Sequence, residues 1–397
     1  MRRTMMFTLA ACLALFGLAA CGSSKKSSSS GSGAVAFAVP DRPIADTIGA
    51  GEGKLNIVNW AGYAEDGSSD PKVDWVSAFE KDSGCQVNSK VAATSDEMVT
   101  LMRTGQYDGV SASGNASVRL IAGGDVRPID TAILTAWPDI DPLVKNRDYN
   151  SVKNVMYGAP HGYGANLLAY DPEKITPAPD SWSVIYDAAN KGKVTIYDDP
   201  ITIADAAVYL KATQPALKIT NPYELDQKQF DAAVNLLKQQ RPLIGQFWGD
   251  VTKQQQGFTQ GDLTVGSVWQ YTANLLTADK QPEKTTLPKE GATGWSDTWM
   301  LSAKAKHPNC MLKWMNYIET PKAQAQVAEW FGEAPANTKA CAETVDKQHC
   351  TTFSAGDQAF FDKVAFWATP TRNCRDDRGL KCVDYSKWVQ AWTEIKG

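Results

Sequence analysis

Residues 55–91 read LNIVNWAGYAEDGSSDPKVDWVSAFEKDSGCQVNSKV. LNIVNW (55–60) is a mostly apolar run of strand length, the pattern of a buried strand. Asp70-Pro71 then reads as a helix start, with the proline at the first helical position. Val73, Val76 and Phe79 mark the apolar face of that helix, and Gly84 ends it. QVNSKV (86–91) reads as a second strand. A strand, a helix and a strand in this order form a βαβ unit, whose crossover sets the two strands parallel.

The same alternation continues along the chain. DEMVTLMRTG (96–105) reads as a helix closed by Gly105, YDGVSAS (107–113) as a strand and SVRLIAGG (117–124) as a helix. Further on, DSWSVIYDAAN (180–190) reads as a helix, KVTIYDD (193–199) as a strand and TIADAAVYLKAT (202–213) as a helix. FDAAVNLLKQQ (230–240) is a helix and DLTVGSVW (262–269) a strand; Thr320-Pro321 opens a helix running to Gly332. The fold class is therefore α/β with mainly parallel sheets. In such folds ligands sit beyond the carboxyl ends of the strands. Those ends are rich in aromatic and acidic residues: Asn59-Trp60 with Tyr63 close behind, Ser113, Asp198-Asp199 and Trp269.

TGWSDTWM (293–300) adds a carboxylate between two indoles. In an extended chain Trp295, Asp297 and Trp299 project from one face. Indole faces attract an organic cation, by roughly 0.5–2 kcal/mol each, and the acid supplies a charge-assisted hydrogen bond. The competing reading is two core tryptophans and an Asp that caps a turn.

The N-terminus addresses location. Arg2 and Arg3 precede the apolar run MMFTLAACLALFGLAA (5–20), a leader of signal-peptide length that is too short to span a bilayer. It ends in Leu18-Ala19-Ala20-Cys21, which resembles a bacterial lipobox and makes Cys21 the lipidation candidate. GSSKKSSSSGSGA (22–34) is a flexible tether. Residues 35–53 lack clear periodicity, so the folded part is expected to begin near Lys54, with 21–53 as lipidated Cys and tether. The rest of the chain is long enough for more than one core.

The whole chain carries 40 basic and 44 acidic residues, a net charge of −4. Loss of Arg2 and Arg3 with the leader makes it more acidic. No basic patch suggests nucleic acid. Of eight cysteines, six lie beyond the leader and Cys21: Cys85, Cys310, Cys341, Cys350, Cys374 and Cys382. In an exported chain these read as three disulfides, with fifteen possible pairings. The short loops Cys341–Cys350 and Cys374–Cys382 are favoured, which leaves Cys85 with Cys310. A zinc site is the rival, but no CxxC is present and His161, His307 and His349 are scattered. No metal, cofactor or catalytic residue is expected.

With these residues in view, the chain from Lys54 to about Trp392 resembles the spermidine/putrescine-binding proteins of ABC importers. The most specific stretches are NWAGY (59–63), YDGVSAS (107–113), YGAPHGYGANLLAYDPEKI (157–175), SVWQY (267–271), PKEGATGWSD (288–297) and GEAPAN (332–337). The resemblance implies a two-lobed periplasmic-binding-protein fold of type II. Lobe one would comprise 54–163 plus 296–341, and lobe two 168–290 plus 347–397, joined by hinge crossovers. It implies that Trp60 and Tyr63 line the first lobe, that Ser113 is a polar cleft residue and that Trp269 stacks on the ligand from the second lobe. Trp295 and Asp297 would seat an ammonium head, and Asp199 would serve the far one. Trp299 stands where the family has an aliphatic residue and is expected in the core.

The chain departs from the family at four places. Thr202 replaces the second far-site acid, Glu333 replaces a cleft tyrosine, Asn115 an aromatic, and Ala368 lies near a common glutamine. Glu333 is therefore an added acid and a candidate ligand contact. The resemblance implies a monomer that binds a small organic cation and delivers it to ABC permease subunits. It would be anchored by lipid to the outer face of the cell membrane or held in the periplasm. A quaternary amine or basic amino acid is the alternative ligand. A secreted carbohydrate hydrolase using Asp198, Asp199 and Asp297 is the alternative class, though no GxSxG or HExxH is present.

Overall fold

The computed structural model describes residues 39–374 and 381–397. The leader, Cys21 and residues 22–34 lie outside the described residues. The strands are β1 (Lys54–Asn59), β2 (Gln86–Val91), β3 (Gly109–Ala112), β4 (Ser151–Val152), β5 (Val155–Met156), β6 (Ala159–Ala165) and β7 (Leu167–Tyr170). They continue with β8 (Val194–Tyr197), β9 (Ile244–Trp248), β10 (Val265–Val268), β11 (Lys284–Thr286), β12 (Ala292–Leu301), β13 (Ala334–Pro335) and β14 (Val364–Phe366).

Two sheets organise the chain, one per lobe of a type II binding-protein fold. The first has the order β13-β6-β12-β3-β1-β2, with β14 also paired to β12; the second has the order β11-β7-β10-β8-β9. The expected parallel pairing holds for β1 with β2 and β3, for β8 with β9 and β10, and for β12 with β14. The strands on either side of the lobe crossings run antiparallel: β12 against β3 and β6, and β7 against β10. Both sheets are thus mixed. A strand that carries the chain back from the other lobe enters from the opposite end, so it cannot join in the parallel sense.

Three crossings link the lobes. β6 passes into β7 with Asn166 alone between them, held by Asn166 N to Thr293 O at 2.9 Å and Asn166 Nδ2 to Thr293 Oγ1 at 2.6 Å. Residues 287–291 return the chain from β11 to β12, and the chain leaves the first sheet for the last time after β14. The terminal helix Tyr385–Lys396 packs on the second lobe, where Trp388 meets Phe230 at 5.8 Å.

Four expectations change. The helix expected from Asp70 begins at Val76: Asp70 accepts from Lys72 N at 2.9 Å and Val73 N at 2.8 Å, closing a turn instead. Residues 182–190 form two short 3-10 turns rather than one helix, because Ser181 and Asp187 each cap a turn and Asp187 itself is extended. The ordered chain starts before Lys54: buried Ala45 bridges Ile129, and Glu52 accepts from Asn309 N and Cys310 N at 3.0 and 2.9 Å. Residues 349–366 pack on the first lobe rather than the second, through His349 Nε2 to Glu333 O at 2.9 Å, Gly356 N to the Tyr163 hydroxyl at 2.9 Å and Phe361 against Tyr163 at 4.8 Å. These are contacts between segments distant in sequence, which local pattern does not reveal.

The cysteines pair as Cys85–Cys310, Cys341–Cys350 and Cys374–Cys382. Cys85–Cys310 joins residues 225 apart in sequence and ties the chain just before β2 to the helix Pro308–Ile318. Replacing both cysteines with alanine should lower unfolding free energy by about 2–5 kcal/mol in denaturant titration, because the unfolded chain regains a long loop's freedom.

Candidate functional site

The site assembles where strands end. β1 and β3 run parallel and stop at the same edge, so Trp60 and Ser113, each one residue past its strand, emerge together. Ser113 also stands at the N-cap of the helix Gly114–Gly123. From the other lobe, β10 ends at Val268 and Trp269 occupies the N-cap of Gln270–Ala278. The crossing strand β12 supplies Trp295 and Asp297, and the helix Pro321–Phe331 supplies Phe331 at its end. Trp367 follows β14. These seven residues enclose one cavity, whose free space is about 10 Å³, room for a single water molecule.

The lobes are closed on it. The Trp60 and Trp269 rings meet edge to face at 5.5 Å across the gap. Behind Trp269 stand Trp248 at 4.9 Å, Tyr197 at 5.3 Å and Trp367 at 6.4 Å, with Tyr197 stacked flat on Trp367. Trp295 stands edge-on to Phe331 at 5.3 Å. At the rim, Tyr385 of the second lobe donates to Asp96 of the first at 2.9 Å and lies under the Arg119 guanidinium at 4.5 Å. Arg119 is itself paired with Asp96.

Asp297 is 2 % exposed. One carboxyl oxygen accepts from the Ser113 hydroxyl, the other from the Tyr63 hydroxyl at 2.8 Å. Burial pushes its pKa up to about 7, against the lowering effect of those two hydrogen bonds. Tyr63 also lies 3.0 Å from Glu333 Oε2. Burial, and then the neighbouring Asp297 charge, hold the Glu333 carboxyl well above the usual range.

Of the residues singled out from sequence, Trp60, Ser113, Trp269, Trp295 and Asp297 border the cavity. Tyr63 and Glu333 do not; Tyr63 stands behind Asp297, and Glu333 behind Tyr63. Asp199 does not border it either. It is 1 % exposed, one oxygen accepts from Ile201 N at 2.9 Å, and the other has no hydrogen-bond partner among the described residues. Burial raises its pKa to about 7. Thr202 donates its hydroxyl to Tyr197 O at 2.9 Å, and Asn115 accepts from Ser95 at 2.8 Å. Trp299 packs in the first lobe's core, fully buried and edge-on to Trp314 at 5.5 Å.

Trp367 and Phe331 border the cavity and were missed from sequence. Trp367 obeys the same rule as Trp60 and Trp269, an indole just past a strand, but its strand is three residues long. Phe331 sits just before the helix-ending Gly332, beside the GEAPAN stretch. Among the described residues, no group of three or more His, Cys, Asp or Glu side chains is placed to hold a metal ion. No helix among them is long and apolar enough to cross a membrane.

A sequence profile described as "Bacterial extracellular solute-binding protein" matches residues 74–352. The chain belongs to that family. This solute-binding protein is 26% identical over 294 residues to the spermidine/putrescine-binding periplasmic protein of Escherichia coli (strain K12), covering 72% of this chain and 78% of the relative. It is 25% identical over 312 residues to a putrescine-binding periplasmic protein of the same strain, covering 74% and 80%. A solved structure titled a putative spermidine/putrescine ABC transporter from Listeria monocytogenes superposes with a TM-score of 0.72 at 19% identity, covering 87% of this chain and 99% of that one; it supports the fold alone.

The cavity wall and the core tryptophan should separate by measurement. Trp299→Ala should lower unfolding free energy by about 3–5 kcal/mol in denaturant titration, as for loss of a large buried ring.

Proposed function

We propose that this protein is the solute-binding component of an ABC importer that takes a polyamine or related organic cation between its lobes and passes it to a membrane permease. The single observation that carries this reading is a carboxylate, Asp297, bordering a cavity walled by Trp60, Trp269, Trp295, Trp367 and Phe331 between two lobes. An ammonium head placed there gains the Asp297 charge and the ring faces. Methylenes buried against the indoles add about 0.8 kcal/mol each. A ligand touching both lobes favours the closed form through contacts that the open form lacks. The relatives, a spermidine/putrescine-binding and a putrescine-binding protein, support polyamines as the first ligands to test.

The lobes are taken as 54–163 plus 296–341, together with 39–53 and 349–366, and as 168–290 plus the chain after 366. Cys21 is proposed as the lipid-bearing residue, which would hold the protein at the outer face of a membrane beside its permease. The protein is proposed to act as a monomer and without catalysis.

A second reading, a cation with one charged head such as a quaternary amine, is favoured by one observation. Among the described residues, Asp297 is the only acid bordering the cavity, since Asp199 lies off it and Thr202 carries no charge.

A thermal-shift screen of putrescine, spermidine, spermine, choline, betaine and basic amino acids tests the class, with neutral sugars as controls. Stabilisation by amines is the expected result; stabilisation by sugars or anions alone overturns it. Asp297→Asn should weaken amine binding by more than about 1 kcal/mol in calorimetry, the loss of a hydrogen-bonded charge. Binding should also weaken as pH falls. With its pKa raised to about 7, Asp297 is ionised above that pH and protonated below it. Amine affinity should therefore be full above pH 7 and fall by up to about tenfold per unit below it.

A further inference from the structure

We propose that Glu333 carries a proton in the folded protein and acts as a positioning residue, donating a hydrogen bond to the Tyr63 hydroxyl so that Tyr63 donates in turn to an ionised Asp297. The proposal rests on the reading that Asp297 is the anion facing the ligand. It assigns Glu333 a role other than direct ligand contact.

The geometry demands an extra proton. The Tyr63 oxygen lies 2.8 Å from Asp297 Oδ2 and 3.0 Å from Glu333 Oε2. A phenol has one proton to donate. With both carboxyls ionised, one of them would face the phenol's lone pairs, and two like charges would share a volume sealed from water. Tyr63, Glu333 and Asp297 are 0, 1 and 2 % exposed. One added proton resolves this. It makes a chain in which the Glu333 O–H donates to Tyr63 and the Tyr63 O–H donates to Asp297, each bond strengthening the next.

The surroundings set the direction of the chain. Asp297 has a second donor in Ser113, so it is the better-supplied anion. Glu333 has no such supply. Among the described residues, the basic group within ion-pair range of its carboxyl is His161, with Nε2 3.8 Å from Oε1. Burial holds that imidazole down to about 3, so it is neutral and offers no countercharge. His161 comes from β6, and its Nδ1 and carbonyl meet Gln324 Nε2 of the helix Pro321–Phe331 at 3.3 and 2.7 Å. His349, from the helical turn His349–Thr352, reaches the Glu333 backbone carbonyl rather than its carboxyl, and burial lowers its pKa as well. Gly162 on β6 leaves the room: a Cβ there would come within 2.2 Å of the Glu333 carboxyl carbon. The near end of the cavity thus presents one negative charge, not two, and one ammonium head neutralises it.

Infrared difference spectroscopy on the ligand-free protein tests this directly. At about pH 8.5, above the range of Asp297, the carbonyl stretch of a buried protonated carboxyl should be present in the wild type and lose one component in Glu333→Gln. The amide can still donate to Tyr63, so Glu333→Gln should keep putrescine affinity close to wild type. Glu333→Ala strands the Tyr63 oxygen and should weaken putrescine by about five- to a hundredfold. An infrared spectrum unchanged by Glu333→Gln overturns the proposal, as does a Gln variant that binds as weakly as the Ala variant. Should Glu333→Gln fail to fold, Tyr63→Phe serves: it removes the acceptor and should shift the same carbonyl band, and an unshifted band overturns the proposal. If the wild type does not bind putrescine, the ligand reading fails while the infrared result still decides the proton on Glu333.

Discussion

A carboxylate sealed from water inside a protein has few stable arrangements, and the centre of this molecule is built around one of them. Asp297 sits on the long crossing strand β12, 2 % exposed, and must find hydrogen-bond donors or lose its charge. Ser113 provides one donor because β3 ends directly before it, and Tyr63 provides the other from the loop after β1. Two parallel strands of the first sheet therefore converge on one side chain of a third. The aromatic walls follow from the same economy of space. Rings around a dry anion exclude water and still offer a favourable face to a cation.

Among the described residues, the other lobe contributes no charge to this cavity. Trp269 approaches from the second sheet and Trp367 from the crossing after β14, backed by Tyr197 and Trp248. The polar groups of the cavity, Ser113 and Asp297, thus come from the first sheet, and the second sheet adds an aromatic face. Rim contacts such as Tyr385 with Asp96 and Arg119 lie outside the cavity but join the lobes, so closure does not depend on the aromatic walls alone.

Much of this was legible in the sequence, because it depends on local pattern. The strand ends at Trp60, Ser113 and Trp269 could be placed from hydrophobic runs, and the period-two spacing of Trp295, Asp297 and Trp299 survives a register shift between Ser296 and Thr298. Trp295 meets Phe331, Asp297 meets Tyr63, and Trp299 meets Trp314, all on one side of β12. What was not legible depends on partners distant in the chain. Nothing local distinguishes Trp367 after its three-residue strand, or places Asp199 off the cavity. The added acid Glu333 was visible as a departure from the family, but not its place behind a phenol. That requires knowing that β13 pairs beside β6 and brings residue 333 against Gly162 and His161.

The three disulfides have a feature in common: each joins segments that travel together. Cys85–Cys310 and Cys341–Cys350 lie within the first lobe, and Cys374–Cys382 closes a short loop after the last crossing. Among the described residues, no disulfide spans the gap between the lobes. Oxidation can therefore stiffen each half without bolting one to the other, so a change in redox conditions leaves any swing between them free.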